Sequence, residues 1–338
     1  MSAICGDALT ELKKMKGETV NCIVTSPPYY GLRDYSLEPI VWGGGTKSCL
    51  GLEENFNLYL AHLLAIFGEC KRVLRKDGTM FINIGDSYGG NNSRASNNGR
   101  AGYGNQREGV FKVNGVPAKS LLGIPERLAI RLTDELNLIR RNTIIWHKPN
   151  CIPSSCKDRF TMDFEYIYFF SKSGKYYFEQ QFEPLKQVSI DRAKRGVSEN
   201  NKWINGAGGQ TPHNLAQPRP NIKNFSNPEL SAQVRDNHDV HYPKLNPLGR
   251  NMRTVWRIPS HPYKEVHFAT YPPELVRRCI KAGCPIGGIV LDPFAGSFTT
   301  AIACIRLKRN WICIEKELRY CKIGLQRIKN EVNQLRLF

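Results

Sequence analysis

Short apolar runs alternate along the chain with longer stretches in which apolar side chains recur every third or fourth position. That is the pattern of buried strands interleaved with amphipathic helices. Val20–Thr25 reads as a strand, Asn57–Leu74 as a helix, Thr79–Ile84 as a strand and Ile124–Leu138 as a helix, followed by strands at Asn142–Trp146 and Glu165–Phe170. After a long gap the alternation resumes with a helix at Glu274–Ala282, a strand at Gly288–Leu291, a helix at Thr299–Arg306 and a strand at Trp311–Ile314. Helical spacing then runs from Glu317 to Leu335. Strands and helices in this order imply an α/β fold, a largely parallel sheet covered on both faces.

Two stretches break the pattern. Residues 85–118 hold eight Gly and six Asn with little apolar periodicity, and read as a long mobile loop of the kind that is uncommon in a compact domain unless functional or disordered. A loop that clamps DNA and an insertion without function fit it equally. Residues 174–263 are rich in Pro, Asn and Gly, and carry thirteen Lys/Arg against five Asp/Glu between Lys186 and Lys264. The aromatic residues Trp203, Phe225, Tyr242 and Trp256 lie among them. Cations for phosphates and polar or aromatic groups for bases favour a nucleic-acid surface over an irregular solvated insertion. The chain thus falls into blocks 1–173, 174–263 and 264–338.

Charge strengthens that reading. The 338 residues carry 48 Lys+Arg against 30 Asp+Glu, a net +18, which attracts a polyanion and makes binding fall with salt. No apolar run reaches the roughly 18 residues of a membrane span. Met1–Asp7 lacks the succession of a secretion signal, so the expected compartment is the cytoplasm. The eleven cysteines form no Cys-x-x-Cys pair; they read as buried free thiols, with no metal site expected.

Two turns carry candidate chemistry. In Val290–Thr300 a strand enters the tight turn Asp292-Pro293-Phe294-Ala295-Gly296-Ser297 and leaves into a helix at Thr299, an arrangement that brings backbone amides to a ligand at the carboxyl edge of a parallel sheet. The next strand ends in Glu315, 23 positions after Asp292, where a carboxylate can accept hydrogen bonds from both ribose hydroxyls. Alone, this pair indicates only a nucleoside cofactor on a Rossmann-like sheet. The second turn, Thr25-Ser26-Pro27-Pro28-Tyr29, follows the strand Val20–Val24. Its prolines remove two donors and leave carbonyls outward as acceptors. An exocyclic amine of cytosine or adenine is a poor nucleophile because its lone pair is delocalised. Accepting its protons at the Ser26 hydroxyl and the Pro27 carbonyl frees that pair, and Tyr29 can stack on a base extruded from the duplex. An isolated Pro-Pro turn closing a strand is common, so the motif draws its weight from its partner.

Together the two turns resemble the amino-group DNA methyltransferases, the N4-cytosine/N6-adenine family. The resemblance spans nearly the whole chain outside residues 85–118 and 174–250. It implies a Rossmann-like, seven-stranded, mostly parallel sheet in the S-adenosyl-L-methionine-dependent methyltransferase fold. The catalytic motif comes first and the cofactor motif last, a permuted order that resembles the β subgroup. On that pattern 1–173 is the catalytic half, 174–263 the inserted target-recognition region and 264–338 the cofactor-binding half. Ser26, Pro27, Pro28 and Tyr29 are the implied catalytic residues. Asp7, Thr25, His267, Phe268, Asp292, Pro293, Phe294, Ala295, Gly296, Ser297, Thr299 and Glu315 are the implied cofactor-binding residues, Asp7 through the adenine amino group and His267-Phe268 by closing over the methionine part. Phe81–Ser87 resembles the strand beside the catalytic one, and Arg141–Asn150 and Glu165–Lys172 resemble elements that complete the base pocket. The family usually has Gly where Phe298 stands, so either the turn is less open here or the side chain points away from the cofactor.

The expected activity is methyl transfer from S-adenosyl-L-methionine to N4 of cytosine in double-stranded DNA, by base flipping and direct SN2 displacement without a covalent enzyme intermediate. Ser at the head of the motif leans towards N4-cytosine, where Asp is usual for N6-adenine; N6-adenine methylation by the same site is the alternative. Methylation of RNA or a protein amide meets the wrong motif order, and carbon-5 methylation lacks its Pro-Cys pair. A catalytically silent DNA-binding protein is the remaining reading. The resemblance also implies a possible homodimer and a cognate restriction endonuclease as partners, and no membrane.

Overall fold

A computed structural model gives the structure of the chain and describes residues 1–32, 38–43, 45–89, 116–117, 119–195, 246–260 and 271–335. Most of the 85–118 segment and of the basic insertion, with His267 and Phe268, lies outside them. The chain divides into two compact units, residues 1–179 with 253–338, and residues 180–252.

In chain order the first unit contains β1 (Ser2–Cys5), α1 (Ala8–Lys14), β2 (Val20–Thr25), the short hairpin β3 (Ile40–Val41) and β4 (Lys47–Ser48), α2 (Phe56–Val73), β5 (Leu74–Ile84), α3 (Ile124–Asp134), β6 (Ile139–His147) and β7 (Phe164–Ser171). The second unit contains β8 (Phe182–Glu183), α4 (Gln187–Arg195) and β9 (Arg250–Asn251), with β8 and β9 paired antiparallel. The first unit resumes with β10 (Val255–Arg257), α5 (Pro273–Gly283), β11 (Ile289–Asp292), α6 (Thr299–Arg306), β12 (Asn310–Glu315) and α7 (Leu318–Leu335). None of the described helices is long and apolar enough to cross a membrane.

The central sheet runs β1-β12-β11-β2-β5-β7-β6-β10. Only β7 is antiparallel to its neighbours, so the sheet is mostly parallel, as the alternation predicts. It has one strand more than the seven expected: β10 adds to β6 through three residues, too few to leave a periodic signal. The central strands β2 and β11 are apolar runs because both their faces are covered. On β2, Ile23 belongs to the core that α1, α2 and α3 share with the sheet. The adjacent Cys22 lies on the other face, near Gly283 at the end of α5. Helix α2 shows how the sequence makes the layer. The Asn55 side chain caps it, accepting from the Leu58 amide at 2.9 Å, and Phe56, Tyr59, Leu60, Leu63, Phe67 and Cys70 repeat at helical spacing on its buried face.

Boundaries moved where local chemistry outweighs periodicity. α3 stops at Asp134 rather than Leu138, because Asn137 takes a left-handed φ of 51° and the Leu138 amide folds back to the Leu132 carbonyl. β5 begins five residues before Thr79, taking in the charged and exposed Arg75-Lys76-Asp77, which carry no apolar signal.

Candidate active site

Parallel pairing sets β2 beside β11, with Cys22 opposite Val290 and Ile23 opposite Leu291. Thr25 and Asp292, 267 residues apart in sequence, therefore end neighbouring strands at one edge, and the Thr25 hydroxyl donates to Asp292 Oδ1 at 2.7 Å. Both residues are buried. The Phe294 amide also donates to Oδ1 at 3.1 Å, while the Tyr271 and Thr300 hydroxyls donate to Oδ2, each at 2.5 Å. Burial raises the Asp292 carboxyl above its ordinary range and these donors counter it. Since the four acceptor directions of the carboxylate are all engaged by the protein, Asp292 shapes the turn rather than offering a free acceptor to a ligand.

The turn that Asp292 holds lies next to Glu315 at the end of β12. Glu315 Oε2 accepts from the Gly296 amide and Oε1 from the Glu317 amide, both at 2.8 Å; burial raises its carboxyl. Gly296 has φ +50°, and nothing lies within 4 Å of where a Cβ would stand. An open left-handed turn beside a half-buried, oriented carboxylate fits a nucleoside ligand approaching the backbone. β1 pairs with β12 so that Cys5 faces Glu315, which brings Asp7 to the same edge. There Asp7 caps α1, accepting at Oδ1 from the Thr10 amide and hydroxyl at 2.9 Å. Ser297 and Thr299 face α7, where Arg327 donates to both hydroxyls, at 2.6 and 3.2 Å. Pro293 and Ala295 are buried within the turn and Phe294 is partly exposed.

Phe298 settles the choice its substitution for Gly poses. It adopts the left-handed conformation a Gly would favour, φ 61° and ψ 35°, yet its side chain is fully buried. The ring sits over Gly324 of α7, where a Cβ would come within 2.4 Å of it. The side chain thus points away from the open side of the turn, into the helix layer.

On the neighbouring strand, the Ser26–Tyr30 turn is tied down at several points. The Tyr59 hydroxyl donates to the Pro28 carbonyl at 2.7 Å and the Ser87 hydroxyl to the Tyr30 carbonyl at 2.6 Å; the Gly31 amide donates to the Gly51 carbonyl at 2.8 Å. Among the described residues, the Pro27 carbonyl receives no hydrogen bond. The Tyr29 hydroxyl donates to Glu165 Oε2 at 2.6 Å. Glu165 also accepts from Asn83 Nδ2 at 3.0 Å and from the Lys148 ammonium. Burial, then the adjacent Glu165 carboxylate, raises the Tyr29 phenol well above its ordinary value, so it stays protonated and donating. Ser26 Oγ lies 3.5 Å from the Tyr29 hydroxyl, a contact too long to immobilise it. Beneath the turn, Glu53 accepts from the Gly51 amide at 2.8 Å and contacts His62 Nδ1 at 2.8 Å. Burial lifts Glu53 to about 7 and lowers His62 to about 4.

The structure gathers Ser26, Pro27, Pro28, Tyr29, Thr25, Asp292–Ser297, Thr299, Glu315 and Asp7 along one edge of the sheet. It adds Tyr59, Tyr271 and Arg327, which sequence reasoning did not single out, and picks out Asn83, Lys148 and Glu165 from within the stretches Phe81–Ser87, Arg141–Asn150 and Glu165–Lys172 that the resemblance had named only as whole elements. Glu165 had one local signal, an acid within an apolar strand that pairs opposite Trp146; Tyr59 and Arg327 sit at ordinary positions of amphipathic helices.

Comparison with known proteins places the chain in a family. The N6/N4 DNA methylase family model matches residues 20–326. Type II methyltransferase M.SmaI of Serratia marcescens is 34% identical over 327 residues, covering 96% of this chain and 89% of its own. Type II methyltransferase M.Cfr9I of Citrobacter freundii is 33% identical, over 96% and 87%. TTHA0409 of Thermus thermophilus, solved in complex with S-adenosyl-L-methionine, shares the fold with a TM-score of 0.55 at 21% identity, over 98% of this chain and 93% of its own. With two turns at one sheet edge and these whole-length matches, the chain belongs to the N6/N4 DNA methylase family.

Proposed function

We propose that the chain is a site-specific methyltransferase that uses S-adenosyl-L-methionine to methylate the exocyclic N4 of cytosine in double-stranded DNA. The observation that carries this reading is the selective engagement of acceptors on the 26–30 turn. Tyr59 takes the Pro28 carbonyl and Ser87 the Tyr30 carbonyl. The Ser26 hydroxyl and the Pro27 carbonyl are left to receive the two protons of an amine. Accepting both turns the nitrogen lone pair out of conjugation, and acceptors placed before the reaction need no reorganisation during it. Tyr29 supplies a ring held at its hydroxyl by Glu165, which Lys148 and Asn83 hold in turn, so an extruded base meets a fixed stacking surface.

S-Adenosyl-L-methionine, when bound, supplies an electrophilic methyl group. The residues that would hold it are Glu315 at the ribose, Asp7 towards the adenine, and the Gly296 turn, with His267 and Phe268 over the methionine part. Asp292, Thr25, Ser297 and Thr299 keep that turn in shape. Ser rather than Asp at position 26 supports cytosine over adenine, since Asp heads this motif in the N6-adenine members that the chain resembles. Residues 174–263 form the target-recognition region in this reading. A cognate restriction endonuclease is the cellular partner, in keeping with the Type II designation of the M.SmaI relative.

The test is to methylate mixed-sequence duplex DNA with the labelled donor, digest it to nucleosides and identify the labelled product. N4-methylcytosine is expected. N6-methyladenine would move the assignment to adenine, and an unlabelled DNA pool would overturn the reading.

A further inference from the structure

The connection between β6 and β7, residues 148–163, leaves the sheet at the catalytic edge. His147 pairs opposite Phe164 and Trp146 opposite Glu165, so both feet of the connection stand beside the Glu165–Tyr29 contact. The feet are closed. The Lys148 amide donates to the Asp163 carbonyl at 2.7 Å, and Asn150 exchanges hydrogen bonds with Ser260, donating to its carbonyl at 2.8 Å and accepting from its amide at 2.9 Å. Nearer the tip, Asp158 pairs with Lys119 at 2.7 Å and the Arg159 guanidinium lies 3.7 Å from the centre of the Tyr88 ring.

These anchors fix the backbone on either side of an apolar tip. Residues 152–162 are all exposed, and they include Ile152, Met162 and Phe160, the last a residue 98% exposed. A phenyl ring held almost wholly in water forgoes the burial that usually justifies an aromatic side chain. Two cations, Lys157 and Arg159, precede Phe160; the acid between them, Asp158, is paired with Lys119, and Asp163, beyond Phe160, lies 3.4 Å from His147. An exposed apolar side chain next to cations, on a connection whose feet stand beside the turn that receives an extruded base, is the chemistry of a wedge that enters a base stack while its neighbours meet phosphates.

We infer that Phe160 occupies the gap left in the duplex when the target nucleotide turns out towards Tyr29, with Lys157 on an adjacent phosphate. Filling the gap restores stacking to the bases on either side and slows the return of the target. The inference rests on the proposed reading that the substrate is double-stranded DNA with its target base extruded.

The test compares full-length wild type, Phe160→Ala and Phe160→Leu in single-turnover methyl transfer. The substrate is a duplex oligonucleotide carrying a site mapped from modified bases in the DNA of an expressing host. A second duplex has an abasic site opposite the target, so that nothing pairs with the base to be extruded. Phe160→Ala is expected to slow transfer by about tenfold or more on the paired duplex and by less than about twofold on the abasic one. Phe160→Leu, still apolar and large, should stay within about threefold of wild type on both. Its melting temperature and that of Phe160→Ala should match wild type, as the ring is exposed. Equal slowing on both duplexes, no slowing on either, or a drop of several degrees in melting temperature would each overturn the wedge. Failure of the wild type to methylate any duplex would instead overturn the parent reading, and the wedge with it.

Discussion

Thr25→Val tests whether the two turns are one piece of machinery. Valine matches threonine in shape, so the substitution removes one thing, the 2.7 Å hydrogen bond from Thr25 to Asp292 Oδ1. Both groups are buried and Asp292 has no measurable exposure, so water cannot replace the lost donor. A hydrogen bond to a charged acceptor contributes about 1.5–3 kcal/mol, and leaving a buried acceptor short of a partner sets the loss near the middle of that range, about 2 kcal/mol. Asp292→Asn should cost at least as much, because its NH2 group must face either the Thr25 and Phe294 donors or the Tyr271 and Thr300 donors. The double variant removes a contact the two singles share, so its loss should fall short of their sum by about 1 kcal/mol or more. Urea unfolding followed by tryptophan fluorescence gives these values from midpoints at constant slope. Titration calorimetry should show S-adenosyl-L-methionine binding about tenfold weaker in Thr25→Val, as the turn loosens where it meets β2. Losses that add to within about 0.5 kcal/mol would refute the coupling.

Gly324→Ala places a methyl group on the Phe298 ring, 2.4 Å from its nearest atom, and should lower stability by about 1–3 kcal/mol; in a Phe298→Ala background, itself destabilised by the lost ring, the same substitution should cost less, which thermal melting of the two single variants and the double variant reads directly. The Glu53–His62 pair predicts opposed pH effects. Glu53, raised by burial from 4.5 to about 7, contributes stability that is lost as pH rises across that window, about 3 kcal/mol at most. His62, lowered by burial from 6.5 to about 4, contributes stability lost as pH falls from 6.5 towards 4, so the two slopes largely cancel in the native protein. Glu53→Gln should leave a stability that rises between pH 4 and 6.5, and His62→Gln one that falls between pH 4.5 and 7; denaturant midpoints across pH reveal either slope.

The fold was legible wherever an element buries enough apolar surface to impose a period. β2, β11 and β12 appear in the sequence as apolar runs because helices cover both faces, and α2 as ten buried positions in eighteen residues. The elements that escaped are those whose formation depends on a neighbour. The four residues of β1 and three of β10 are strands only because β12 and β6 supply their ladders. The left-handed Asn137 ends α3 where the apolar repeat still continues to Leu138.

The candidate site divides in the same way. Its two turns were legible because Pro-Pro, Gly and terminal carboxylates constrain a backbone whatever surrounds them. Tyr59 and Arg327 act by reaching across from other elements, and nothing in a helical tyrosine or arginine announces a partner tens of residues away; Lys148 and Glu165 lie in stretches whose resemblance marked the base pocket without marking their contact with each other. Phe298 shows the converse. Its departure from the usual Gly was visible in the sequence, but its direction depended on Gly324, on a helix at the far end of the chain.

Ser26→Ala probes the chemistry most directly, through its single-turnover rate of methyl transfer with S-adenosyl-L-methionine and duplex DNA both saturating, measured beside its affinity for the donor. With one of two amine acceptors gone and the turn still tied through Pro28, Tyr29 and Tyr30, the rate should fall by about tenfold to a hundredfold while donor affinity holds. An unchanged rate at saturation would contradict amine acceptance by Ser26, as would a loss confined to donor binding.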